Sequence, residues 1–495
     1  MGSSFDTRAS KLDHFFCARK LGGMFHPATE ERGCIMAKGP GGGGGGGGTQ
    51  DRNTYGTAGN DVLGTHDRGT TFGFAGNDTI TGTAAADSVH GGDGHDIITT
   101  LGGNDLVHGG LGDDRMDGGA GIDWLNYGDD YGITPTGLPA GLGAVSGVTV
   151  NLNLTTAQNT NGAGLDTIIG FENVGGTQYN DAITGLAAQS STIFARAGND
   201  RITGGSAADS LWGETGDDTI DGGGGNDQIV TGAGNDILRG GAGDDFIEAD
   251  FRDPNNSTPG NDVIDGGLGI DWLVYEGAAT GVRVDLNILT AQNTGGGGID
   301  TISNIETVSG SRFADVLTGN AGANTFYSNG GADVLNGMGG DDYLVGDFSL
   351  GTLNGGDGND RILAGAFLNG GNGNDILYSE LGKETMTGGS GADTFMFDRT
   401  TAGLDAWSTP DAMDVITDYS RLQGDKIDLH NYALGTTNVI GYADYTTFVG
   451  LSQIKFVNHG TYQTIEADVT GDRVSDFAIQ ITGAAPLIAS DFILA

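Results

Sequence analysis

From Gly73 onward the chain repeats with a period of nine. GFAGNDTIT, GTAAADSVH, GGDGHDIIT, TLGGNDLVH, GGLGDDRMD and GGAGIDWLN follow one another unbroken to Asn126. Position eight is always apolar (Ile80, Val89, Ile98, Val107, Met116, Leu125) and position six is always Asp (Asp78, Asp87, Asp96, Asp105, Asp114, Asp123). One apolar residue between polar neighbours predicts a short, half-buried strand, and the glycine-rich half before it predicts a turn. Two nonapeptides make one coil, so alternate aspartates stack along two edges of a parallel solenoid, one strand spacing of about 4.8 Å apart.

The same register recurs downstream. A second block from Ala195 to Glu248 carries Asp200, Asp209, Asp218, Asp227, Asp236 and Asp245 at position six. A single copy at Gly56 carries Asp61, and two copies between Ser257 and Val274 carry Asp262 and Asp271. A third block starts at Gly310 with Asp315, Asp333, Asp342 and Asp360, crosses a six-residue coil (Ala364 to Asn369), and ends at Met396 after Asp375 and Asp393. Its position six is Asn324, Gly351 and Glu384 in three repeats, which predicts weak or absent metal binding there.

Two longer inserts, beginning GVTVNLNL at Gly147 and GVRVDLNI at Gly281, are copies of one another. Each opens with the alternation of a strand and contains a hidden nonapeptide with Asp166 or Asp300. Each then returns to register at Gly176 (whose repeat carries Asp181) or Gly310, after a short coil carrying Glu172 or Glu306. They read as continuations of the solenoid, with a structural or calcium-related role for the two glutamates. The expected organisation is a tail with a poly-glycine linker (1–55), repeat blocks (56–126, 176–274 and 310–396), inserts (127–175 and 275–309) and a C-terminal region (397–495).

Composition turns this pattern into chemistry. Of 495 residues, 96 are Gly and only 8 are Pro, without the strict triplet of collagen. The formal net charge of −43 excludes nucleic acid and anionic membrane as partners and favours cations. Aspartate carboxylates and turn carbonyls from adjacent coils supply the six to eight hard oxygens that Ca²⁺ prefers, whereas Zn²⁺ favours Cys and His. On the order of 15–20 calcium sites would nearly cancel the negative charge. Burying one aliphatic side chain per nonapeptide cannot offset the entropy of ordering nine residues, so calcium is expected to drive folding.

The remaining residues narrow the function. Cys17 and Cys34 leave the repeats without a thiol, and no apolar run is long enough to span a membrane. Met1 to Lys20 lack the apolar segment of a secretory signal peptide. Residues 1–35 are expected to be an upstream extension before Met36 or a disordered tail, followed by a flexible linker at Gly39 to Gly48. None of His14, His26, His66, His90, His95, His108, His430 and His459 is followed by Glu, so the zinc-protease motif H-E-x-x-H is absent, as is the G-x-S-x-G nucleophile turn. His90, His95 and His108 read as solvated positions, and Trp124 and Trp272 as packing beneath the inserts.

The recurring GGxGxD and GNDxI over Gly56 to Met396 make the chain resemble the RTX, or haemolysin-type calcium-binding, family. The resemblance implies an all-β parallel β-roll, many bound calcium ions, and export by type I secretion machinery to an extracellular location. GGSGADTFMFD, DVITDYSRLQGDKIDL and ADVTGDRVSDFAIQITG are similar to the region after the repeats in serralysin-type proteases. The terminal LIASDFILA, with Asp491, Phe492, Ile493, Leu494 and Ala495, is similar to that family's uncleaved export signal. Asp468, Thr470, Asp472 and Asp476 have EF-hand-like spacing, but Arg473 replaces the required Gly and Ile479 the bidentate Glu. The expected function is a secreted, non-enzymatic calcium-binding protein with a structural, cell-surface or matrix role. The alternative is a secreted hydrolase acting on protein or polysaccharide, or its carrier region; a toxin ranks third. No surface or matrix partner is legible.

Overall fold

The computed structural model describes residues 53–66, 69–128, 143–249, 259–347, 350–379, 382–397, 413–429, 439–440, 453–468, 475, 477–483 and 486–493. The expectations for residues 1–52, for Leu494 and Ala495, and for Thr470, Asp472 and Asp476 lie outside them. Asp468 ends a strand, Tyr462–Asp468.

The position-eight residues form the core. Ile80, Ile98 and Met116 stack in register on one face, and Val89, Val107 and Leu125 on the other, all fully buried in one continuous cluster. One face is a single 19-stranded sheet, parallel throughout, from Thr54–Tyr55 and Thr70–Ala75 to Thr394–Phe397, Lys426–Asp428 and Phe492–Ile493. The other face consists of three successive sheets of six, eight and eleven strands. Many strands run on into the glycine pair of the next repeat, as in Ser88–Asp93, so they are longer than the three residues the period suggests.

The inserts are seams in this second face. The hidden nonapeptide Leu165–Ile169 pairs with Arg115–Asp117 and ends the first short sheet, and Gln158–Asn159 folds back antiparallel upon it. Thr149–Asn151 then opens the second sheet by pairing with Ala182–Thr184. The second insert repeats the device: Gly298–Ser303 ends the second sheet, Gln292–Gly295 folds back, and Arg283–Asp285 opens the third. Meanwhile the long sheet passes both seams, through Asn173–Gly175 and Thr307–Ser309.

Beyond the repeats, Asp414–Ile416 leads the third sheet into the antiparallel strands Gln453–Asn458, Tyr462–Asp468 and Phe477–Thr482. The chain returns to the roll at its end, where Phe492–Ile493 adds the last rung of the long sheet. The Arg421 guanidinium grips both oxygens of the fully buried Asp491. Burial raises the Asp491 pKa, but Arg421 and the Ile488 N–H outweigh it and hold the carboxyl below its usual range.

One expectation about side chains changes here. His90 and His108 are not solvated: they are 7% and 5% exposed and stack on one another at 4.2 Å, beneath Phe72. Their outward positions fall in a column of aromatic rings from successive coils, whose neighbours bury them. Trp124 and Trp272 also pack against rings of the long sheet, Phe194 for the first and Phe246 and Tyr327 for the second, and their strands pair with the insert strands Asn173–Gly175 and Thr307–Ser309.

The spacing between coils restricts the turns. At Gly112, φ is +137° and an added methyl would collide with the Gly94 carbonyl one coil away, whereas Gly59 has open space around it. Gly112→Ala is therefore expected to lower the thermal midpoint of the calcium-loaded protein by several degrees and Gly59→Ala to leave it nearly unchanged, as read by circular dichroism.

Candidate metal centre

Most position-six aspartates are fixed through one oxygen by the backbone of the preceding coil, and the fate of the other oxygen differs between them. Within the first block, the backbone N–H of Asp78 donates to Asp96 Oδ1 at 2.8 Å, that of Asp96 to Asp114 Oδ1 at 2.9 Å, and that of Asp114 to Asp166 Oδ1 at 2.9 Å. On the opposite edge the ladder runs from Asp87 through Asp105 to Asp123. The second block carries the ladders Asp181, Asp200, Asp218, Asp236, Asp262, Asp300 and Asp209, Asp227, Asp245, Asp271. In the third block Asp315 donates to Asp333, and Asn324, Asp342, Asp360, Asp375 and Asp393 form the other ladder.

The second oxygen divides the candidates. In Asp78, Asp96, Asp105, Asp114, Asp123, Asp200, Asp218, Asp227, Asp236, Asp245, Asp271, Asp333, Asp342, Asp360, Asp375 and Asp393, Oδ2 is buried without a hydrogen-bond partner. A buried carboxylate oxygen left so is costly, and the surroundings supply the complement. A methyl group added at Gly91 would strike both Asp96 Oδ2 and the Gly109 carbonyl of the next coil. The same cradle recurs at Gly73, Gly222, Gly240, Gly337, Gly355 and Gly370. Among the described residues no three His, Cys, Asp or Glu side chains are placed to hold a metal by themselves. The donor set is instead carboxylate plus glycine carbonyl, hard oxygens that fit Ca²⁺.

Elsewhere the protein satisfies the second oxygen itself. Asp166 Oδ2 accepts from Thr160 Oγ1 at 2.8 Å and from the Tyr127 hydroxyl at 3.2 Å, and Asp300 Oδ2 accepts from Thr294 Oγ1 at 2.6 Å and the Tyr275 hydroxyl at 3.0 Å. Oδ2 is also taken at the coils that open the ladders, by Thr57 at Asp61, Thr177 at Asp181, Gly205 at Asp209 and Ser311 at Asp315; at Asp87 the roles exchange, Thr83 meeting Oδ2 while Oδ1 is buried without a hydrogen-bond partner.

Several participants escape the nonapeptide pattern. Glu172 and Glu306 complete the ladders at the seams, their Oε2 accepting from Asp123 N–H at 2.8 Å and Asp271 N–H at 3.0 Å. Asp425 extends the third ladder past Asp393. A second ladder runs along position five, where Asn60 Oδ1 accepts from Asn77 N–H, Asn77 Oδ1 from His95 N–H, and His95 Nδ1 from Asp113 N–H. The recurring GND triplet carried that signal.

Burial and then the neighbouring carboxylates push Asp114 and Asp218 up to about 8, against the pull of the N–H bond from the preceding coil. Asp200, Asp227, Asp342 and Asp375 rise to about 7 for the same first reason. These values describe the roll without cations. A carboxyl whose folded pKa exceeds its unfolded value of about 3.9 keeps its proton more tightly when folded. The cation-free roll therefore loses stability as pH rises from about 4 through about 8, the interval in which calcium replaces the departing protons. The calcium concentration at the folding midpoint is therefore expected to be lower at pH 6 than at pH 8, because protons held by the folded roll stand in for part of the calcium; a midpoint that rises on acidification would contradict the assignment. Tyr275→Phe removes a donor from a carboxylate the protein satisfies itself, so it is expected to cost about 1–3 kcal/mol in calcium-saturated unfolding without changing the number of ions bound.

A family model for RTX calcium-binding nonapeptide repeats matches residues 72–107, 90–125, 194–229, 221–251, 258–273 and 309–344. The model for the peptidase M10 serralysin C terminal matches residues 330–494. No curated protein matches the chain. Among solved structures it is similar to the solution structure of the AlgE6R3 subunit from the Azotobacter vinelandii mannuronan C5-epimerase, with 24% identity over 37% of this chain and 79% of that one and a TM-score of 0.18. The repeats are RTX calcium-binding nonapeptides that form a parallel β-roll with Ca²⁺ as its ligand, and the serralysin C-terminal match begins within the last of them and runs on to residue 494.

Proposed function

We propose that this protein leaves the cell unfolded through type I secretion machinery, folds outside on binding calcium, and serves there as a non-catalytic structural protein of the cell surface or matrix. The observation that carries the reading is the repeated pairing of a buried, unpartnered aspartate Oδ2 with a glycine carbonyl of the next coil. A chain whose charges are compensated only by calcium stays extended where the ion is scarce and becomes a rigid rod where it is abundant. The serralysin-type C-terminal domain supplies the export half of the proposal.

The experiment is production of the full chain with and without a type I exporter, followed by assays of the secreted material in calcium. The expected result is exporter-dependent appearance in the medium, calcium-induced folding, and no turnover of protein, lipid or polysaccharide substrates. Calcium-dependent turnover of any of them would overturn the non-catalytic reading; appearance in the medium without the exporter would overturn the route.

A further inference from the structure

On the third short sheet the column of position-six residues is interrupted. After Asp315 and Asp333 it presents Gly351 and then Ala366, neither able to contribute a carboxylate, and resumes with Glu384 and Asp414. Glu384 stands where the repeats have Asp, and Asp414 follows outside any nonapeptide, where the roll passes into the C-terminal domain. Both are 0% exposed.

The pair keeps the ladder contact, since Glu384 N–H donates to Asp414 Oδ1 at 2.9 Å. It also adds a third oxygen. Ser379 Oγ lies 2.9 Å from Asp414 Oδ2 and 3.2 Å from Glu384 Oε2. A hydroxyl has one proton, so it can donate to only one of these carboxylates at a time. Glu384 Oε1 is buried with no hydrogen-bond partner. Two carboxylates removed from water thus converge with one shared hydroxyl and one unpartnered oxygen, an arrangement that demands positive charge.

From this geometry we propose that Glu384, Asp414 and Ser379 form a further calcium site, separate from the glycine cradles, at the junction of roll and C-terminal domain. The longer Glu side chain allows it. It brings Oε2 to the Ser379 hydroxyl that also meets Asp414, so two carboxylates and a hydroxyl can supply about four of the six to eight oxygens calcium takes. A proton held between the two carboxyl groups is the competing occupant. The site ties the C-terminal domain to the same ion that orders the repeats, and so rests on the calcium reading above.

A long-wavelength anomalous difference map of the calcium-loaded full chain tests it. The expected map has a calcium peak about 2.3–2.6 Å from oxygens of Glu384 and Asp414, together with peaks in the cradles beside Asp342, Asp360 and Asp375. Cradle peaks without a peak at Glu384, and a direct oxygen–oxygen contact between Glu384 and Asp414, would identify the shared proton and overturn the proposal while leaving the general reading intact. A map without any calcium peak would overturn both. In solution, Glu384→Gln is expected to bind one ion fewer per chain by metal analysis; an unchanged count would favour the proton.

Discussion

The structure depends on a carboxylate that is half satisfied. In most repeats one aspartate oxygen accepts the N–H of the preceding coil, which fixes the side chain inside the turn, and the other is left buried without a hydrogen-bond partner, in several of them beside a glycine carbonyl. Coil stacking brings these carboxylates within about one strand spacing of each other, where they repel and are expensive to dehydrate. Where no turn N–H or hydroxyl meets the second oxygen it stays without a hydrogen-bond partner, and the aliphatic column is only one residue wide per strand. On the proposed reading the divalent cation is a structural component of the fold, in the sense that zinc is of a zinc finger.

The seams show what the alternative costs in sequence. At Asp166 and Asp300 the same position is satisfied by a threonine and a tyrosine, which requires a tyrosine placed 39 and 25 residues upstream and an antiparallel hairpin to deliver the threonine. A nine-residue repeat has no room for that apparatus. Calcium allows a short repeat, and the two inserts punctuate the array with coils whose carboxylates are met by hydroxyl groups. The C-terminal return to the long sheet, held by Arg421 and Asp491, covers the edge of Lys426–Asp428, the strand that itself pairs with the last repeat.

Much of this was legible because the period is rigid. Position eight identified the core column and position six the ladder, since any slip of one residue would reverse the faces. What escaped was whatever depends on contacts between distant coils. Glu172 and Glu306, legible from the matching inserts as structural or calcium-related, reach the ladder from irregular coils by a contact the sequence does not specify, and Asp414 and Asp425 continue it where no nonapeptide remains. His90 and His108 occupy outward positions that a single repeat marks as wet, yet rings of adjacent coils bury them. The hydroxyl partners of Asp166 and Asp300 likewise have no local signature.

The most direct test of the metal requirement is far-UV circular dichroism of the full chain, prepared in chelator and titrated with CaCl₂ from micromolar to about 10 mM, with MgCl₂ in parallel. The account predicts a largely unordered chain in chelator and a cooperative gain of β structure with calcium but not with magnesium. A chain already rich in β structure in chelator at neutral pH would contradict it, because the buried carboxylates would then be tolerated without the cation.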